Sequence, residues 1–66
     1  MKNKIESYFA RTKLGKIKEI IFVGNWSQGD LYRVKTTRWL HPNEFTIYEL
    51  DGEIKTVRSL QTNKIY

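Results

Sequence analysis

Sixty-six residues with a formal net charge of +5 and no cysteine describe one domain at most. They exclude a disulfide framework, and with His41 as the single histidine they leave no ligand set for a structural zinc. The charge bears on partners rather than on fold, and it favours an anionic one.

Residues 3–14 predict a short helix. Asn3 can cap it, with Glu6 three positions on. Ile5, Tyr8, Phe9 and Thr12 follow i, i+3, i+4, i+7 and make one apolar stripe. Gly15 is placed to take the left-handed turn that ends helices. About three turns are marginal alone in water, so the stripe needs a sheet to dock on.

The first strand is expected over residues 16–23. Its end, Ile20-Ile21-Phe22-Val23, is the only run of four apolar residues and sends side chains to both faces. The expectation is a strand covered on both sides, with the helix docked on it, so that a charge at Ile21 or Phe22 unfolds the domain. A loop over 24–30 follows, rich in turn-formers and carrying Trp26. The second strand, 31–40, alternates most clearly. Tyr32, Val34 and Thr36 should face the core, and Arg33, Lys35, Thr37 and Trp39 the other side.

His41-Pro42-Asn43 breaks the chain, because proline lacks a donor and restricts its predecessor. The third strand spans 44–50. Asp51-Gly52 is a two-residue type I′ hairpin signal, pairing Leu50 with Glu53, Tyr48 with Lys55 and Thr46 with Val57. Neither hairpin face is cleanly apolar in that register, which predicts a bulge or strong bend. The fourth strand covers 53–58, residues 59–63 suggest one helical turn, and 64–66 a short fifth strand.

The whole is an α+β chain, mostly β: a helix, then a four- or five-strand antiparallel meander. Curved meanders of this length close into small barrels of SH3-like or Sm-like type, which removes exposed edges. An open sheet crossed by the helix is the alternative. The likeness to those barrels lies in element order alone; neither family's sequence motifs are present, and no residue role is carried over from them. A core this small yields ~3–5 kcal/mol at most, so a homodimer is in play.

Catalysis is not expected. His41 sits in a turn beside Pro42, Asp51 and Glu53 flank a hairpin tip where water keeps carboxylates ordinary, and no phosphate-binding glycine motif occurs. No metal or cofactor is implied. The charge is uneven: residues 1–19 carry Lys2, Lys4, Arg11, Lys13, Lys16 and Lys18 against Glu6 and Glu19, whereas 44–53 carry only Glu44, Glu49, Asp51 and Glu53.

Single-strand binders combine a cationic track for phosphates with aromatics on which bases stack. Arg33, Lys35, Arg38 and Trp39 on the second strand supply both. Trp26 adds a loop aromatic, and Lys55 and Arg58 lie on the fourth strand near Tyr48. Nucleic-acid binding through these residues is the expected function. The competing reading buries Trp39 and Tyr48 in the core and leaves the cations on a wet surface. The alternative function is a protein-binding module, an adaptor or an inhibitor of a host protein, because Trp, Tyr and Arg also dominate protein interfaces. The basic helix could also lie along phosphates or anionic lipid, but its short apolar stripe is needed for the core. The charged N-terminus and the lack of any long apolar run argue for a cytoplasmic protein without a membrane span. Abundant Lys, Ile and Asn hint at an AT-rich coding genome, such as that of a phage or another mobile element.

Overall fold

The computed structural model describes residues 2–66. One helix, α1 (Lys2–Thr12), precedes four strands: β1 (Ile17–Trp26), β2 (Gly29–Thr36), β3 (Glu44–Leu50) and β4 (Glu53–Ser59). The strands form one antiparallel sheet in the order β1-β2-β3-β4. The sheet is not closed into a barrel: β1 and β4 do not pair, and each is an edge. The open alternative is what forms. In place of a fifth strand, Ile65 makes an isolated bridge to Arg58.

The apolar stripe of α1 does what its spacing predicts. Ile5 and Phe9 are buried and Tyr8 is half-buried. Phe9 meets Phe45 edge-on at 5.1 Å between ring centres, and the Tyr8 hydroxyl donates to the Tyr66 carbonyl at 2.7 Å. The helix ends two residues earlier than expected. Lys13, at φ 59°, is the left-handed residue that ends the helix, and Gly15, also at positive φ (117°), lies two residues beyond it. Leu14 N–H then bonds the Phe9 carbonyl and Lys13 N–H the Ala10 carbonyl, at 3.0 and 3.4 Å. That pair is the Schellman arrangement, and burial of Leu14 in the same core as Phe9 supplies its usual hydrophobic contact. Asn3 lies inside the helix rather than capping it.

Three irregularities shape the sheet. Register shifts fall between Ile17 and Glu19, between Phe22 and Gly24, and between Tyr48 and Glu49. Each adds one residue to a strand and resets which face the next side chains take. The third is the bulge expected from the mixed hairpin pattern. Lys55 is its extra residue, so Tyr48 pairs with Thr56 and Ile47 with Val57, one position off the simple register. Ile54 and Val57, three apart in sequence, thereby both reach the core side. The Asp51-Gly52 turn forms as predicted, with φ of 54° and 79° and Leu50 opposite Glu53. A second two-residue turn, Ser27-Gln28, replaces the expected long loop, so β1 runs on to Trp26.

The core lies between α1 and one sheet face: Ile5, Phe9, Leu14, Val34, Phe45, Ile47 and Val57. It does not include Ile20–Val23 as expected. Ile20 packs partly against it, but Ile21, Phe22 and Val23 are 46%, 56% and 55% exposed. The path of the helix explains this. Lys4 near its start donates to the Gly52 carbonyl at the β3–β4 turn, and its other end feeds the start of β1 at the opposite end of the sheet. A helix on that diagonal covers β2, β3, β4 and the foot of β1, and leaves the upper half of β1 bare.

Candidate nucleic-acid interface

Cross-strand partners share a face, so the register fixes which residues lie opposite the helix. One row reads Ile21, Arg33, Thr46, Arg58, and the next Leu31, Tyr48, Thr56. Trp26 stands at the top, and Glu19, Lys35 and Glu44 lie at the foot. No described element covers this face.

Trp26, 59% exposed, meets Tyr48 edge-on with ring centres 5.2 Å apart. The Tyr48 hydroxyl donates to the Ser27 carbonyl at 2.7 Å, which ties β3 to the β1–β2 turn. A shallow groove of about 400 Å³ runs between these rings and Arg58, past Leu31, Thr46 and Thr56. Arg33 and Arg58 flank Thr46 from the two neighbouring strands, which sets their backbones roughly 9–10 Å apart. Neither takes part in the ion pairs found among the described residues.

The other cations expected here are placed differently. Lys35 shares the face but pairs with Glu44 at 3.6 Å. Lys55 sits on the bulge beside the acidic hairpin tip and bonds Glu53 at 3.0 Å. That hydrogen bond and the ammonium charge hold the Glu53 carboxyl below its ordinary pKa, and the same bond holds the Lys55 ammonium above its own. An exposed pair of this kind is worth little to stability. It does leave Lys55 partly neutralised as a phosphate ligand.

Arg38 and Trp39 are not on the second strand. β2 ends at Thr36, and residues 37–43 form an irregular connection. Gln61 fastens that connection from below: its Oε1 accepts the N–H groups of Asn43 and Glu44, and its Nε2 donates to Asn43 Oδ1. The Asn43 amide in turn donates to the Arg38 carbonyl at 2.9 Å. The Arg38 stem passes so close to Gly15 that a Cβ there would sit 3.1 Å from it. Trp39 is 87% exposed, at the end of the sheet opposite Trp26. The structure therefore brings together Trp26, Arg33, Lys35 and Arg58, and sets Arg38, Trp39 and Lys55 apart from them.

Thr46, Thr56 and Leu31 belong to the face and were missed from the sequence. Alternation along β3 carries the signal, since Phe45 and Ile47 point inward and their neighbours Thr46 and Tyr48 must point out. Compared with known families, curated proteins and solved structures, the chain matches none. Among the described residues no helix is long and apolar enough to cross a membrane.

Proposed function

We propose that this is a small nucleic-acid-binding domain that holds a single strand on its bare sheet face. The observation that supports it is the placement of the exposed Trp26, backed by the half-buried Tyr48, beside the two guanidinium groups of Arg33 and Arg58 that take part in no ion pair among the described residues. Bases stack on exposed rings at ~1–3 kcal/mol each, and the arginines meet phosphates. Of the acids on β2 and β3, Asp30 and Glu49 share a register position on the helix side, and Glu44, at the foot of the bare face, is paired with Lys35.

The reading is tested by fluorescence anisotropy with labelled single- and double-stranded DNA and RNA of mixed sequence. Single strands bind more tightly than duplexes, and affinity falls steeply as salt rises. No binding to any of the four at low salt would overturn it.

A second reading has one specific observation behind it. Trp39 and Leu40 stand exposed side by side in the β2–β3 connection, an arrangement suited to a pocket on a host protein. A partner lost on Trp39→Ala but kept on Trp26→Ala would favour that module over the nucleic-acid face.

A further inference from the structure

The two edges of the sheet are unlike. The C-terminal segment lies along the outer edge of β4: Ser59 N–H bonds the Lys64 carbonyl at 2.9 Å, and Tyr66 N–H bonds the Val57 carbonyl at 2.8 Å. β4 also carries Glu53, Lys55 and Arg58, charges that discourage pairing; bulges do not distinguish the edges, since β4 has one at Lys55 and β1 has them at Lys18 and Val23. The outer edge of β1 pairs with no described residue. β1 is ten residues long, contains no proline, and exposes Ile21, Phe22 and Val23 in succession.

Charge separates the two edges further. The only ionisable side chains on β1 are Lys18 and Glu19, which cancel, in a chain of net charge +5. Two copies therefore approach along β1 without opposing like charge. The order of residues also suits self-pairing. The apolar run 20–23 lies mid-strand, between Lys18-Glu19 at one end and Asn25 at the other. Antiparallel reversal sets that run against its own copy.

We propose that β1 pairs antiparallel with β1 of a second copy, about a two-fold axis near Phe22, joining two four-strand sheets into one of eight strands. A contact of this kind is self-complementary and closes at two chains. The axis stands perpendicular to the sheet, so both helices fall on one side and both bare faces on the other. The pairing supplies the cover that a four-residue apolar run calls for and that the short helix does not reach. It also adds buried surface to a domain with seven buried apolar residues. It stands whether or not the bare face binds nucleic acid.

Light scattering on a sizing column over a dilution series gives the mass. The expected value is twice 7.9 kDa, falling to 7.9 kDa on dilution. Phe22→Lys is expected to weaken the dimer at least about tenfold with an unchanged circular dichroism spectrum, a shift of about 1.4 kcal/mol. Because the chain has no cysteine, Ile21→Cys, Phe22→Cys and Val23→Cys can be oxidised one at a time. Cα separations across an antiparallel pair, about 4.5–5.5 Å, lie within disulfide reach. At least one of the three should cross-link much faster than Ser7→Cys on the exposed helix face, and these variants decide the matter even where Phe22→Lys fails to fold. A mass of 7.9 kDa at every concentration, a mass above twice that value, a Phe22→Lys dimer of undiminished strength, or cross-linking no faster on β1 than at Ser7 would each overturn the proposal.

Discussion

Trp26 on β1 meets Tyr48 on β3 across the full width of the intervening strand, edge-on and 5.2 Å between ring centres. Gly29 of β2 makes the approach possible. A Cβ there would lie 2.2 Å from the Glu49 carbonyl oxygen and 2.6 Å from the Tyr48 ring. Because the first of those atoms is backbone, no rotamer change relieves it. Gly29→Ala is expected to destabilise the domain by about 1–3 kcal/mol, read as a lower urea midpoint, with a change in tryptophan fluorescence as Tyr48 leaves Trp26.

The two tryptophans should separate cleanly in binding. Trp26→Ala removes a stacking surface from the bare face and is expected to weaken oligonucleotide affinity by about 1–3 kcal/mol. Trp39→Ala, at the far end of the sheet, should leave that affinity nearly unchanged. Titration of each variant with one labelled single strand measures both, and equal losses would remove the bare face as the site.

Arg33 and Arg58 are expected to act through phosphate. Replacing both with alanine removes two phosphate contacts, so the slope of log affinity against log salt should become shallower by about 1.4. Both side chains are exposed, and each replacement should alter stability by no more than about 0.5 kcal/mol. An unchanged slope would mean that the guanidinium groups do not reach the nucleic acid.

Burial assigns opposite fates to two phenylalanines. Phe45 is fully buried against Phe9 and Tyr66, and Phe45→Ala is expected to cost about 3–5 kcal/mol, which is as much as a core of this size yields. That variant should be largely unfolded by circular dichroism. Phe22 is more than half exposed, packed on one side by Tyr32 at 5.6 Å, and Phe22→Lys should remain folded. This reverses what the apolar run alone suggests.

Tyr32 supplies a dependence on pH. Burial first, then the negative charges of Asp30 and Glu49, hold its phenol above the ordinary pKa of 10.0. The unfolded chain therefore loses this proton before the folded one does. The contribution to stability is complete below about pH 10 and is lost as pH rises through the folded value. As pH rises above about 9, thermal midpoints of the wild type should fall more steeply than those of Tyr32→Phe. Parallel curves would show that Tyr32 titrates alike in both states.

Legibility followed the range of each signal. The Ile5–Tyr8–Phe9 stripe, the inward set Tyr32–Val34–Thr36 and the Asp51-Gly52 turn are local patterns, and the structure contains all three. Alternation along the sequence runs on through Trp39, but β2 ends at Thr36, so Trp39 lies off the strand. That end is set by the connection folding back, where Asn43 and Gln61 bond each other and the chain around them. The turn-formers Gly24, Asn25, Gly29 and Asp30 around Trp26 suggest a long loop, but they lie in the strands, and the turn is Ser27-Gln28, which lacks glycine although both residues adopt positive φ.

The sequence by itself determined the element order, the place of the Asp51-Gly52 turn with its Leu50–Glu53 pair and which side of β2 turns inward, because turn chemistry and periodicity act between near neighbours. Only the tertiary structure decided that the sheet stays open, that two bulges on β1 reset its faces and that the helix crosses on a diagonal. Whether Ile21, Phe22 and Val23 are covered depends on where a distant helix lands, and no property of four consecutive residues carries that information. Strand order leaves β1 bare at its outer edge, and packing of the helix on one face leaves the opposite face free for Trp26, Arg33 and Arg58 to meet.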